Sequence, residues 1–232
     1  MMEQRLMTTA STAQAIPFGD NRFLQRLCAI FLIVFIVSAI HPIMMADWVL
    51  ENLLVLVFLG LLAATYRNLA LSELSYLLIF VYLCMHEWGA HHKYANVPIG
   101  EWVRTIFHTT RNDYDRVVHF AFGLLLAYPE REVLLRKAKV ADAWALWLPV
   151  LASLGFGAGY EILEAVAANL STPEVGDAFL GLQGDPWDTH KDMFMGFLGA
   201  AVTMSVVAVV NTSVRSRRKR KSEDRRLAAV GR

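Results

Sequence analysis

Between Leu77 and Ala200 the chain places His86, Glu87, His91, His92, His108, Asp113, Asp115, His119, Glu161, Glu164, Asp185, Asp188, His190 and Asp192, side chains able to hold a metal or move a proton. Six of the seven histidines fall there. A mixed imidazole and carboxylate set suits Zn, Mn or Fe, whereas bare oxygen ligands would suit Mg or Ca, and a set without cysteine argues against a sulfur-rich structural zinc. Asp115 and His119 are four apart, Glu161 and Glu164 three, and Asp188 and Asp192 four, so each pair shares one helical face. The leading ligand candidates are His86, His91, His119, Glu161, Asp188 and Asp192, with Glu87 and Glu164 as acid and base. Tyr94, Arg111, Asn112, Asp115, Arg116 and Asp185 are expected to support these groups or bind substrate; Asn112, Arg111 and Arg104 flank the site, either to receive a lipid phosphate or carboxylate or as ordinary interfacial arginines. One metal lowers the pKa of a bound water, and two clamp a displaced group. Two other readings fit the same residues: a metal-free network holding helices together, and a proton-coupled transport path.

The segment HEWGAH at His86–His91 is not the HExxH zincin signature, because its histidines are five apart. To use both, the chain is expected to turn out of the helix near Gly89. The closely spaced glycines of LGFGAGY, Leu154–Tyr160, lack a preceding strand, so helix packing is expected there and not dinucleotide binding.

The elements that carry these residues are apolar. With 56% hydrophobic and 19% charged residues and a net charge of +1, the 232-residue chain has the composition of a multi-span membrane protein. Six stretches qualify as spans: Phe23–Ile40, Val49–Tyr66, Leu71–His86, Val117–Pro129, Ala143–Ala168 and His190–Val210. The fourth falls short of the roughly 20 residues a crossing needs, so it is expected to continue through Asp115 and toward Val133. The first is expected to be retained, since no clear cleavage site follows it. The expected organisation is an all-α, six-helix membrane bundle over residues 23–210, an N-terminal cytoplasmic segment over 1–22 and a basic cytoplasmic tail over 211–232.

Arg67, the group Arg131, Arg136, Lys137 and Lys139, and the run Arg215–Lys221 put both termini in the cytoplasm. Lys93, Arg104, Arg111 and Arg116 oppose this from the other side and are outweighed. The four motif-bearing helix ends then meet at the outer face, forming a polar bowl. Gly123, Gly157 and Gly196 lie one turn deeper, where small residues let helices close beneath it. Inward of the bowl the spans read as nearly all apolar apart from Glu73, which counts against a through-path. Trp88, Trp102 and Trp187 fit the interface. The basic tail suits anionic lipid rather than nucleic acid. Membrane lipids are the expected partners, and a six-span protomer could pair as a homodimer.

The segments HEWGAHHKYANVPIG (His86–Gly100), RNDYDRVVHFAFG (Arg111–Gly123), GYEILEA (Gly159–Ala165) and FLGLQGDPWDTHKDM (Phe179–Met193) carry a family resemblance. Over approximately Phe23–Val210 the chain resembles the bacterial inner-membrane family of unknown function typified by YjdF, and more distantly VanZ-like membrane proteins. The resemblance implies a compact multi-span protein of the inner membrane and leaves the reaction open. It covers His86, His91, Tyr94, Asn112, Tyr114, Asp115, Arg116, His119, Tyr160, Glu161, Glu164, Gln183, Gly184, Asp185, Trp187, Asp188 and Asp192. His92 and His190 depart from the family pattern, which commonly has Tyr and Gln there, and are set aside as ligands. The functional expectation is a metal-dependent hydrolase acting on lipid headgroups or lipid-linked phosphates at the outer face. A small ion-coupled transporter and a non-catalytic scaffold are its alternatives.

Overall fold

The computed structural model describes residues 16–180 and 183–230. Among them lie eight α-helices: α1 (Arg22–Ser38), α2 (Met45–Thr65), α3 (Glu73–His91), α4 (Pro98–Phe107), α5 (Tyr114–Val133), α6 (Trp144–Leu170), α7 (Pro173–Leu180) and α8 (Asp188–Val230). Residues 1–15 of the expected N-terminal segment, Gly181 and Leu182 of the fourth motif, and the side chains beyond Arg220 lie outside this description. The expected tail is backbone-continuous with α8 as far as Val230.

Local chemistry sets several helix starts. Asn21 Oδ1 accepts from Leu24 N at 3.0 Å to open α1, and Ser72 Oγ accepts from Ser75 N at 3.2 Å to open α3. Glu132, arriving from α5, adds a second cap by taking Ser72 N at 2.9 Å and Ser75 Oγ at 2.6 Å, which places a carboxylate where a helix N-terminus favours one. Pro98 starts α4, where its missing N–H leaves nothing unsatisfied. Asn112 is fully buried and opens α5 by accepting from Tyr114 N at 3.1 Å, while its amide donates to Val97 O and Glu101.

Helix α5 is the centre of the bundle, packed on α8, α3 and α6. The α5 and α8 backbones nearly touch. A Cβ at Gly123 would strike Gly196 O, and one at Gly199 would strike Phe120 O. Thr203 Oγ1 donates across the seam to Leu124 O at 2.5 Å. Beside it, Ala127, Val150, Ala200 and Met204 form one core, and Phe31, Val55, Ile79, Leu83 and Leu126 form another between α1, α2, α3 and α5. Large apolar residues such as Ile33, Leu53, Trp147, Ile162 and Val209 point outward, as lipid requires.

Among the described residues three helices are long and apolar enough to cross a membrane on that measure alone, not six: Met45–Thr65, Trp144–Leu170 and Asp188–Arg217. Helix α1 has 17 residues, α3 is interrupted by polar groups including Glu73, His86 and Glu87, and α5 carries Asp115, Arg116, Glu130, Arg131 and Glu132. The short fourth stretch does extend at both ends, to Tyr114 and Val133.

The turn expected near Gly89 is absent, because α3 runs on through His91 and the chain turns at Lys93 and Tyr94, both at positive φ. Gly89 serves a close approach instead: a Cβ there would collide with the Tyr94 ring. The glycines of α6 also differ from expectation. A Cβ at Gly157 would lie 3.9 Å from Met193 Cα on α8, an ordinary contact, and one at Gly155 or Gly159 would meet nothing within 4 Å.

Candidate metal centre

The helix starts and the α5–α8 seam bring one acidic cluster together at a single end of the bundle. Asp115 and His119 lie on the first turns of α5, and Asp192 lies one turn into α8. One donor atom from each lies within 4.8 Å of the other two. His119 Nε2 stands 3.5 Å from Asp115 Oδ1 and 3.7 Å from Glu161 Oε1, which comes from α6. Asp192 is 2% exposed, and its Oδ1 has no hydrogen-bond partner among the described residues. Three ligands about 2.0–2.2 Å from one Zn-like ion stand about 3.3–3.8 Å apart, so donors spread over as much as 4.8 Å need to close by up to about an ångström. Buried carboxylates this close require a cation or shared protons.

Arg111 and Arg116 form ion pairs beside the cluster, while Arg111 Nε and Nη2 and Arg116 Nε have no hydrogen-bond partner among the described residues. Arg111 pairs with Asp188. Arg116 reaches Asp188 at 3.2 Å, Asp185 at 2.5 Å and Asp113 at 2.9 Å. Asp188 is thus held as an ion-pair partner at the start of α8. Asp185 sits in the turn before that helix, accepting from Trp187 N at 3.1 Å and Lys191 Nζ at 2.6 Å. The Lys191 hydrogen bond is the main reason its carboxyl is held below the usual range, down to about 2. Asn112 exchanges two hydrogen bonds with Gln183, both at 3.0 Å, which ties the start of α5 to the segment entering α8.

His86 and His91 point in different directions, as a five-residue separation on a continuous helix requires. His86 Nδ1 contacts Tyr94 Oη at 2.7 Å, and its buried Nε2 has no partner among the described residues. His91 Nδ1 lies 2.8 Å from Ser38 O on α1. Glu87 is 0% exposed and accepts from Ser38 Oγ, which in turn accepts from Trp48 Nε1 at 3.2 Å. His91 and Glu87 therefore belong to an α1–α2–α3 network apart from the α5–α8 cluster. His92 stacks beside Trp88, and His190 beside Trp187.

Helix α2 contributes what the motifs did not: Asp47, Glu51 and Asn52, all buried. Glu51 accepts from Tyr160 Oη at 2.6 Å, linking α2 to α6. A cavity of about 600 Å³ opens below this link between α2, α3, α5 and α6. At the cluster end its walls include Glu51, His86, Asp115, His119 and Glu164, and at the far end Leu61, Pro129, Glu130 and Val133. Glu130, whose Oε2 is buried without a partner among the described residues, corrects the expectation of a nearly wholly apolar interior beyond the bowl.

Comparison with known proteins finds a family and a relative. Residues 23–213 match the family described as "Predicted membrane protein (DUF2238)". The chain is 38% identical over 162 residues, covering 69% of itself and 77% of the relative, to "Inner membrane protein YjdF" of Escherichia coli (strain K12). No solved structure matches it. An all-helical, multi-pass bundle in contact with lipid accords with both findings. By the extent of that match and that identity, the chain belongs to the DUF2238 family of membrane proteins.

Proposed function

We propose that this protein is a metal-dependent hydrolase that acts on lipid headgroups or lipid-linked phosphates at the outer face of the inner membrane. The observation that carries the reading is the convergence of Asp115, His119 and Asp192 from two helices, with a buried Asp192 oxygen left without a partner. These three hold the ion, with Glu161 beside His119 as a fourth donor. The ion would be Zn, Mn or Fe, and would supply a water of lowered pKa or a Lewis-acid contact. Glu164, on the cavity wall, is placed to move the proton. His86, whose Nδ1 contacts Tyr94 Oη, lines the same wall.

In this reading α1, α2, α3, α5, α6 and α8 all cross the bilayer. Helix α5 can do so despite its charges because α3, α6 and α8 surround it. Both termini are cytoplasmic, since Arg67, Arg131, Arg136, Lys137 and the tail lie at the end remote from the cluster. Arg111 and Arg116, which oppose that orientation, are neutralised by their carboxylate partners. The test is release of phosphate from lipid-linked phosphates in nanodiscs with added Zn or Mn. Activity abolished by chelation and by His119→Ala supports the proposal, and activity indifferent to both refutes it.

Glu130 at the far end of the same cavity favours a transporter as the second reading, because it places an acid near the opposite membrane face. Liposome ion flux that depends on both Glu161 and Glu130, without hydrolysis, would select it.

A further inference from the structure

The cavity is polar at the cluster end and, apart from Glu130 at its far end, apolar along its length. From Glu51 to Leu62 it follows α2 for eleven residues, about 16 Å at 1.5 Å per residue. Along that length Ile79, Leu83, Val118 and Leu126 form its inner wall, and these side chains are shielded from the lipid-facing surface. Gly155 and Gly159, one turn apart on α6, line it too, and a Cβ at either would meet nothing within 4 Å. Glycine inside a helix is less favourable than alanine, and here it brings no closer packing in return. Its effect is to leave the space open.

An apolar space of this kind does not hold water well, and inside a bilayer the available filler is hydrocarbon. Its length matches about half of the roughly 30 Å hydrocarbon core, which is the depth of one leaflet. The polar end adjoins Asp115 and His119. A single chain lying in the groove would therefore bring its head to the acidic cluster.

We propose that the groove seats one acyl chain of a phospholipid, so that the substrate enters sideways from the membrane with its head at the Asp115, His119 and Asp192 cluster. The head's fate rests on the metal-site reading, whereas the chain's position rests on the groove. The substrate class is then a membrane phospholipid, and water-soluble phosphate esters, lacking the chain, are poor ligands.

The test uses the full chain in nanodiscs of phosphatidylethanolamine and phosphatidylglycerol, doped with a phosphatidylglycerol that carries a mid-chain diazirine. After photolysis, peptide mass spectrometry locates the label and elemental mass spectrometry reads the metal on the same sample. Label on Ile79, Leu83, Val118 or Leu126 is expected in wild type. It should be lost in the double variant Gly155→Leu, Gly159→Leu, with metal content unchanged, and kept in the lipid-facing control Gly60→Leu, whose Cβ also meets nothing. Wild-type label confined to outward residues such as Ile36 and Val206, or wall label indifferent to the double variant, would overturn the proposal. Wall label in a protein that binds no metal would retain the chain site and reject the metal site.

Discussion

Asp192 and Glu87 are both almost fully buried carboxylates, each with one oxygen that has no hydrogen-bond partner among the described residues, and they differ in what surrounds them. Glu87 receives a hydrogen bond from Ser38, which Trp48 supports in turn, so it joins α1, α2 and α3. Removing that donor leaves a buried acceptor unsatisfied, which costs about 1–3 kcal/mol. Ser38→Ala should lower the thermal midpoint accordingly without changing metal content, and a metal loss in that variant would bring Glu87 into the site. Asp185 provides a pH test. With its carboxyl depressed to about 2 by Lys191 from a usual value near 3.9, its contribution to stability is present above about pH 4 and is lost as pH falls through about 2. Asp185→Asn should therefore unfold earlier than wild type at neutral pH, and the difference should close between about pH 4 and about 2. A gap that is constant across that window would show that Asp185 acts through packing alone.

At the scale of elements, the α5–α8 seam positions the site, because Asp115 and His119 ride on one helix and Asp192 on the other. Gly123 and Gly199 permit that approach. Gly123→Val must push the backbones apart, and overpacking of this kind costs about 1–3 kcal/mol or more. Gly60→Ala, in open space, should instead be neutral or gain up to about 1 kcal/mol. Thermal unfolding in detergent separates them, and equal midpoints would contradict the seam. Much of this was legible in advance, since the three-and-four spacing on α5, α6 and α8 marked the faces that converge. Asp47 and Glu51 have the same four-residue spacing, but the strongly apolar run around them on α2 concealed it. His86 and His91 were grouped as neighbours in sequence, although five residues on an unbroken helix separate their directions by about 140°. A small residue looks the same in sequence whether it admits a neighbour, as Gly123 does, or leaves a gap, as Gly155 and Gly159 do.

As a whole, the molecule is a helical bundle with an acidic cluster at one end and an apolar groove leading from it toward the other. Helices too short or too charged to identify as spans by themselves are supported by their neighbours, as α5 is by α3, α6 and α8. The same packing buries more carboxylates near His119 than the local cations balance, since Arg111 and Arg116 are already engaged with Asp188 and Asp185. A divalent ion would restore that balance. The most direct measurement is elemental mass spectrometry on wild type, Asp192→Asn and His119→Ala, purified in nanodiscs and matched for folding by thermal midpoint. Stoichiometric Zn, Mn or Fe in wild type and its loss from both variants is the expected result. A folded wild type that takes up no metal, or variants that retain the wild-type amount, would contradict the metal centre.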